Sequence, residues 1–169
     1  MSSSQEHKRE AQHQGPVRLG LITVSDTRTK ENDRNGMFLQ GVGRIAGHQI
    51  VAYHLVRDEP EQVMAALDAT DTRSAQVVIL NGGTGISRRD RTFDVVNTRL
   101  DKVLPGFGEI FRMISFEQIG SAAMHSRAVA GVANGQVLIS IPGSPAAVEL
   151  AWEKLILPEL PHFAWELLR

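Results

Sequence analysis

Val77-Val78-Ile79-Leu80-Asn81-Gly82-Gly83-Thr84-Gly85-Ile86-Ser87-Arg88-Arg89-Asp90-Arg91-Thr92 is the stretch on which the reading of this chain turns. Its first four residues are apolar and mostly β-branched, which is the composition of a strand buried on both faces. The loop that follows is nearly bare of side chains, since Gly82, Gly83 and Gly85 surround Thr84. Glycines let the backbone turn sharply and let a ligand approach the amide N–H groups closely. Arg88, Arg89 and Arg91 then surround one carboxylate, Asp90. Bare amides, cations and an acid suit a phosphate–metal site. The plainer reading is a tight structural turn beside a solvated arginine face. The loop lacks the lysine and spacing of a Walker A motif.

Working outward, the remaining apolar runs alternate between strand and helix periods. Val17–Val24 and Ile50–Val56 read as strands, as does Val137–Ile141. Phe38, Val42 and Ile45 repeat at helical spacing, with Gly47 closing that helix. Asp58-Glu59-Pro60-Glu61 resembles a helix start with Asp58 as N-cap, and Thr92 is placed to cap another. Phe107, Ile110, Phe111 and Ile114 mark a helix after Pro105-Gly106. Val148, Trp152 and Leu155 mark the next, and Leu160, Ala164 and Leu167 the last. This alternation predicts a three-layer α/β/α sandwich around a largely parallel sheet. In such sheets ligands collect at the carboxyl ends of the strands. The loops opening at Ser25, Arg57, Asn81 and Pro142 all leave those ends.

Bulk properties narrow the classes. At 169 residues the chain fits one domain with a sizeable core. Residues 1–16 are polar and read as a disordered tail, with residues 17–169 as the folded domain. A net charge of −1 gives no field favouring nucleic acid or an anionic membrane. No apolar run approaches the roughly 20 residues that span a bilayer, and the N-terminus has no signal-like hydrophobic centre, so a cytoplasmic address is expected. With no cysteine, thiolate metal sites and cysteine nucleophiles are excluded. The six histidines show no zinc-like spacing.

Asp58 and Asp90 are the carboxylates best placed for chemistry, because two acids at neighbouring strand ends can hold Mg²⁺ while substrate phosphates complete its shell. Each has a plainer alternative: an N-cap for Asp58, an arginine salt bridge for Asp90. Asp26, after Ser25, is similarly placed, and an Asx-turn explains it as well. Pro142-Gly143-Ser144-Pro145 forms a rigid turn that does not match Gly-x-Ser-x-Gly. Arg127 can clamp an anion bidentately, or be an ordinary surface arginine. Gly41-Val42-Gly43-Arg44-Ile45-Ala46 spells a dinucleotide fingerprint but lies inside a helical pattern, so its glycines are read as helix-packing positions.

These segments together resemble the MoaB/MogA family of molybdenum cofactor biosynthesis, which includes the G domain of gephyrin. The resemblance rests on Val24-Ser25-Asp26-Thr27, Val56-Arg57-Asp58, Asn81-Gly82-Gly83-Thr84-Gly85 and Arg89-Asp90-Arg91-Thr92. It continues through Pro105-Gly106-Phe107-Gly108-Glu109, Phe111-Arg112, Ser115, Ser126-Arg127-Ala128, Gly131 and Pro142-Gly143-Ser144-Pro145. The stretches Phe107–Ser115 and Ser126–Val132 resemble the MoaB branch more than MogA. The resemblance implies a molybdopterin-binding domain, a homotrimer or homohexamer, and Mg²⁺- and ATP-dependent adenylylation of molybdopterin with release of pyrophosphate. The alternative is a non-catalytic molybdopterin carrier or scaffold. By position it makes Asp58 and Asp90 the catalytic, metal-associated acids and Gly82, Gly83, Thr84 and Gly85 the phosphate-proximal loop. Ser25, Asp26, Thr92, Glu109, Ser115, Ser126, Arg127, Gly143 and Ser144 fall around the pocket. Asn81 departs from the Thr or Ser common there, and Phe93-Asp94 from the common Pro-Glu.

Overall fold

The computed structural model describes residues 15–72 and 74–167. Most of the expected tail, residues 1–14, lies outside the described residues; Gly15 and Pro16 are exposed.

Six strands form one sheet in the order β2-β1-β3-β6-β5-β4. They are β1 (Arg18–Val24), β2 (Gln49–Val56), β3 (Val77–Asn81), β4 (Lys102–Val103), β5 (Val129–Ala133) and β6 (Gln136–Ile141). The first three and β6 run parallel, while β5 and β4 are antiparallel additions at one edge. Every residue of β3 and β6 is buried, as their largely apolar composition requires, and Asn81, Gln136 and Ser140 are the polar residues buried with them. Alternate side chains feed two cores. Leu21, Ile79 and Ile139 join one, and Ile22, Leu80 and Leu138 the other.

The first core is covered by α1 (Arg34–Ile45), α4 (Pro105–Ile119), α5 (Pro145–Ala151) and α6 (Leu157–Glu166), through Leu39, Phe111, Val148 and Leu160. The second is covered by α2 (Pro60–Thr72) and α3 (Thr92–Arg99), through Val63, Leu67, Val95 and Val96. The architecture is the expected three-layer sandwich. No helix among the described residues is long and apolar enough to cross a membrane.

Three local differences have physical causes. Sequence periodicity misses β4 and β5, because Lys102-Val103 is too short and Val129–Ala133 is rich in small residues. β5 and β6 form a hairpin whose turn residues, Asn134 (φ 49°) and Gly135 (φ 72°), both occupy the left-handed region. Asn-Gly is the pair such a turn favours. The two C-terminal helices expected separately are joined by a π-helical segment, Trp152–Ile156, just before Pro158, whose missing N–H cannot continue the α-helical ladder. Of the two glycines in the Gly41-Val42-Gly43 segment of α1, Gly43 serves packing and Gly41 does not. A methyl on Gly43 would sit 3.0 Å from Ile50 Cδ1, whereas Gly41 faces open space.

Candidate functional site

The parallel strands deliver Val24, Val56, Asn81 and Ile141 to one rim, and a cavity of about 450 Å³ opens there. Its walls include Ser25 after β1, Asn81 to Gly85 after β3, Asp90, and Pro142 to Ser144 after β6. Helix α4 contributes Phe111 and Ser115.

The glycine loop has strong steric demands. Gly82 and Gly83 have φ of +112° and +66°, a region that penalises any side chain. A methyl on Gly82 would collide with the Val24 carbonyl oxygen, and one on Gly83 would lie 2.5 Å from Asp58 Oδ2. The Gly82 N–H donates to the Ile141 oxygen at 3.0 Å, which fixes the start of the loop. The N–H groups of Gly83, Thr84 and Gly85 find no acceptor among the described residues. Three successive open donors on a cavity wall form an anion cradle.

Asp58 is 8% exposed and does not itself line the cavity; it packs behind Gly83, which does. Its carboxylate accepts the Arg91 N–H at 3.2 Å and the Thr92 hydroxyl at 3.0 Å. It therefore ties the loop after β2 to α3 and does not cap α2, which starts at Pro60. Thr92 likewise does not cap α3. Arg91 is the N-cap, without a side-chain bond, and the Thr92 hydroxyl is turned to Asp58. Burial, above all, pushes the Asp58 carboxyl above its ordinary value, and the charge of Asp90 adds to the shift. Asp90 lines the cavity and accepts the Ser87 N–H at 2.8 Å. Among the described residues no arginine pairs with the carboxylate of Asp58 or of Asp90.

The other expected residues divide into groups. Ser25, Ser115, Ser126, Gly143 and Ser144 line the cavity with the glycine loop. The Ser115 hydroxyl donates to the Phe111 oxygen at 2.7 Å, and the Ser144 oxygen accepts the Ala147 N–H at 3.4 Å as the cap of α5. Asp26 lies outside the cavity, where Arg89 bridges it to Glu59 at 2.9 and 3.1 Å. Glu109 and Arg127 line a neighbouring hollow of about 380 Å³.

Asn35 is a site residue that no motif in the sequence marks. It is 2% exposed and lines the cavity. Its amide nitrogen donates to Asn81 Oδ1 at 2.9 Å and to the Gly143 oxygen at 2.8 Å. Asn81 in turn donates to Thr23 Oγ1 at 3.0 Å. Two buried amides thus bind α1, β1, β3 and the Pro142–Ser144 turn together, and Asn81 is explained by its partner Asn35. A single polar residue at a helix start carries no signal of this kind; the unusual Asn81 was the one available hint.

The carboxyl rim of this α/β domain thus brings together an amide cradle and two acids without arginine partners among the described residues, an arrangement whose chemistry suits phosphorylated ligands. Residues 20–162 match the family model described as "Probable molybdopterin binding domain". The chain is 48% identical to the Molybdenum cofactor biosynthesis protein B of Bacillus cereus, over 97% of both chains. A crystal structure of a Molybdenum cofactor biosynthesis protein B superposes with a TM-score of 0.88 at 47% identity, covering 91% of this chain and 97% of that one. The tungsten cofactor synthesizing protein MoaB from Pyrococcus furiosus superposes at 0.83 with 35% identity, covering 91% and 98%. This chain belongs to the MoaB/MogA family of molybdenum cofactor biosynthesis proteins.

Proposed function

We propose that this chain is a molybdopterin adenylyltransferase. In this reading the terminal phosphate of molybdopterin attacks the α-phosphorus of ATP. A new P–O–P bond forms as the bond to the β-phosphate breaks, and pyrophosphate leaves. The observation that carries the reading is the run of open amide donors at Gly83, Thr84 and Gly85 on the wall that also holds Asp90. Family membership supports molybdopterin as the ligand.

The nucleophile is already anionic, so the chain has little proton transfer to perform. Its work is positioning and charge compensation. The amide cradle would hold a phosphate, with Ser25 and Ser144 as further polar groups on the same wall. Ala122 and Ala147 offer an apolar flank for a heterocycle. Asp90, on the cavity wall, would hold Mg²⁺ there, and Asp58, packed behind Gly83, would add negative charge to the site; neither carboxylate has an arginine partner among the described residues. The ion would neutralise phosphate charge as it builds on the leaving group.

The reading includes self-association into a homotrimer or homohexamer, as the family resemblance implies. Met113, Phe116 and Ile119 on α4 are 58–62% exposed, with Met124 beside them at 69%, an apolar face fit to be covered by a second copy. The reading places the protein in the cytoplasm. The deciding experiment mixes purified protein with MgATP and measures pyrophosphate with and without molybdopterin. Release that requires the pterin supports adenylylation. No release from folded protein, with pterin binding indifferent to nucleotide, favours the carrier reading.

A further inference from the structure

Arg127 is placed in the sequence as an anion clamp, yet its guanidinium has other work. Nε donates to the Gly85 oxygen at 2.9 Å and Nη2 to the Asp90 oxygen at 2.7 Å. Nη1 reaches Asp94 Oδ1 at 3.0 Å. The guanidinium carbon lies 4.7 Å from the centroid of the Phe93 ring, which fixes the plane of the fork. The Arg127 N–H donates to the Thr84 oxygen at 3.0 Å. Arg112 grips the carbonyls on either side, Ser126 and Ala128, at 3.3 and 3.4 Å.

The two main-chain oxygens held by the fork are the ends of one loop, Gly85 to Asp90. Inside it, residues 86–89 are exposed. Between these ends the long-range tie among the described residues is the surface bridge from Arg89 to Asp26 and Glu59, of a kind that adds little in water. Just past the second end, the Asp58 carboxylate accepts the Arg91 N–H at 3.2 Å. We propose that Arg127 is a positioning residue: it staples this loop shut by its main chain, sets Asp90 on the cavity wall and does not contact the ligand. The functional part of this rests on the reading that Asp90 acts on the bound phosphates; the staple itself does not. Phe93 and Asp94, where the family commonly has Pro-Glu, are the residues that aim the fork.

The test compares full-length wild type with Arg127→Lys, which keeps the charge and loses the planar fork. Trypsin cleavage after Arg88 and Arg89, followed by mass spectrometry under native conditions, reports release of the loop. Cleavage is expected to speed up about tenfold, because it tracks the open population. In the pyrophosphate assay kcat is expected to fall about 100-fold with KM for molybdopterin changed little, the mark of a misplaced group. Methylguanidinium should restore protection to Arg127→Ala. Unchanged cleavage in Arg127→Lys overturns the proposal, whether or not the protein turns over ATP. So does a raised KM with kcat intact, the pattern of a ligand contact. If Arg127→Lys does not fold, Asp94→Asn leaves Arg127 in place and loosens one anchor. It should speed cleavage about two- to threefold, and unchanged cleavage there counts equally against the staple.

Discussion

The sheet has two rims, and each has a hollow of similar size: about 450 Å³ at the carboxyl ends of the parallel strands and about 420 Å³ at their amino ends. Size therefore does not distinguish them; hydrogen-bond use does. At the amino rim the N–H groups of Ala75, Gln76 and Val137 are bonded to the backbone, and that of Asn134 to Asp101. The Val17 N–H is taken by His48 and the Arg18 guanidinium by Ser74. At the carboxyl rim, among the described residues, the donors of Gly83 to Gly85 remain open and Asp58 and Asp90 have no arginine partner. The amino rim spends these donors on the fold, whereas the carboxyl rim, whose side chains Asn35, Asn81 and Asp58 also serve the fold, keeps the three loop amides available for a ligand.

The largest effect expected from breaking this contrast is on turnover. Asp90→Asn should lower pyrophosphate release about 100-fold or more while the melting temperature holds, because the Ser87 N–H can still be accepted by the remaining oxygen. An unchanged rate would remove Asp90 from the chemistry. Gly135→Ala probes the other rim. A methyl there meets no atom, but φ is +72°, so stability should drop by about 1–2 kcal/mol. Molybdopterin affinity should be unaffected.

The smallest expected effects are in pH dependence, and the two rims differ in sign. Burial lowers the His48 pKa from 6.5, so the neutral ring's contribution to stability is complete above that value. It is lost as pH falls through 6.5 toward the folded value. Replacing His48 with Gln should flatten that part of a plot of melting temperature against pH. Asp58 has a raised pKa, so the stability its protonated form contributes is complete below 3.8 and is lost as pH rises from there through the folded value. Asp58→Asn should therefore melt slightly higher than wild type at neutral pH, and this advantage should vanish on acidification below the ordinary aspartate value. A loss of stability at neutral pH would contradict the assignment of Asp58 as a strained acid kept for function.

Most of the parallel half was legible from sequence, since Val77–Leu80 and Val137–Ile141 declare burial on both faces and turn residues mark their ends. The rim followed from topology, because four loops leaving parallel strands must converge. The antiparallel edge was not read, although Asn134-Gly135 signals its hairpin. Side-chain partners were less legible still. Arg127 spends its donors on main-chain oxygens of Gly85 and Asp90, contacts that no residue spacing encodes. Thr92 and Asp58 each fit a helix-capping pattern, but long-range packing turned them toward one another. Glu109 projects into the neighbouring hollow, a matter of helix rotation that its apolar stripe fixes only coarsely.

Gly83 and Gly135 make the decisive pair, since both have positive φ and differ in what surrounds them. Equilibrium titration of molybdopterin, followed by pterin fluorescence, compares wild type, Gly83→Ala and Gly135→Ala under conditions where all three are folded. Gly135→Ala should bind as wild type does, and Gly83→Ala should lose at least about tenfold in affinity, equal to 1.4 kcal/mol. Equal affinity in all three proteins would show that the amide cradle does not hold the ligand.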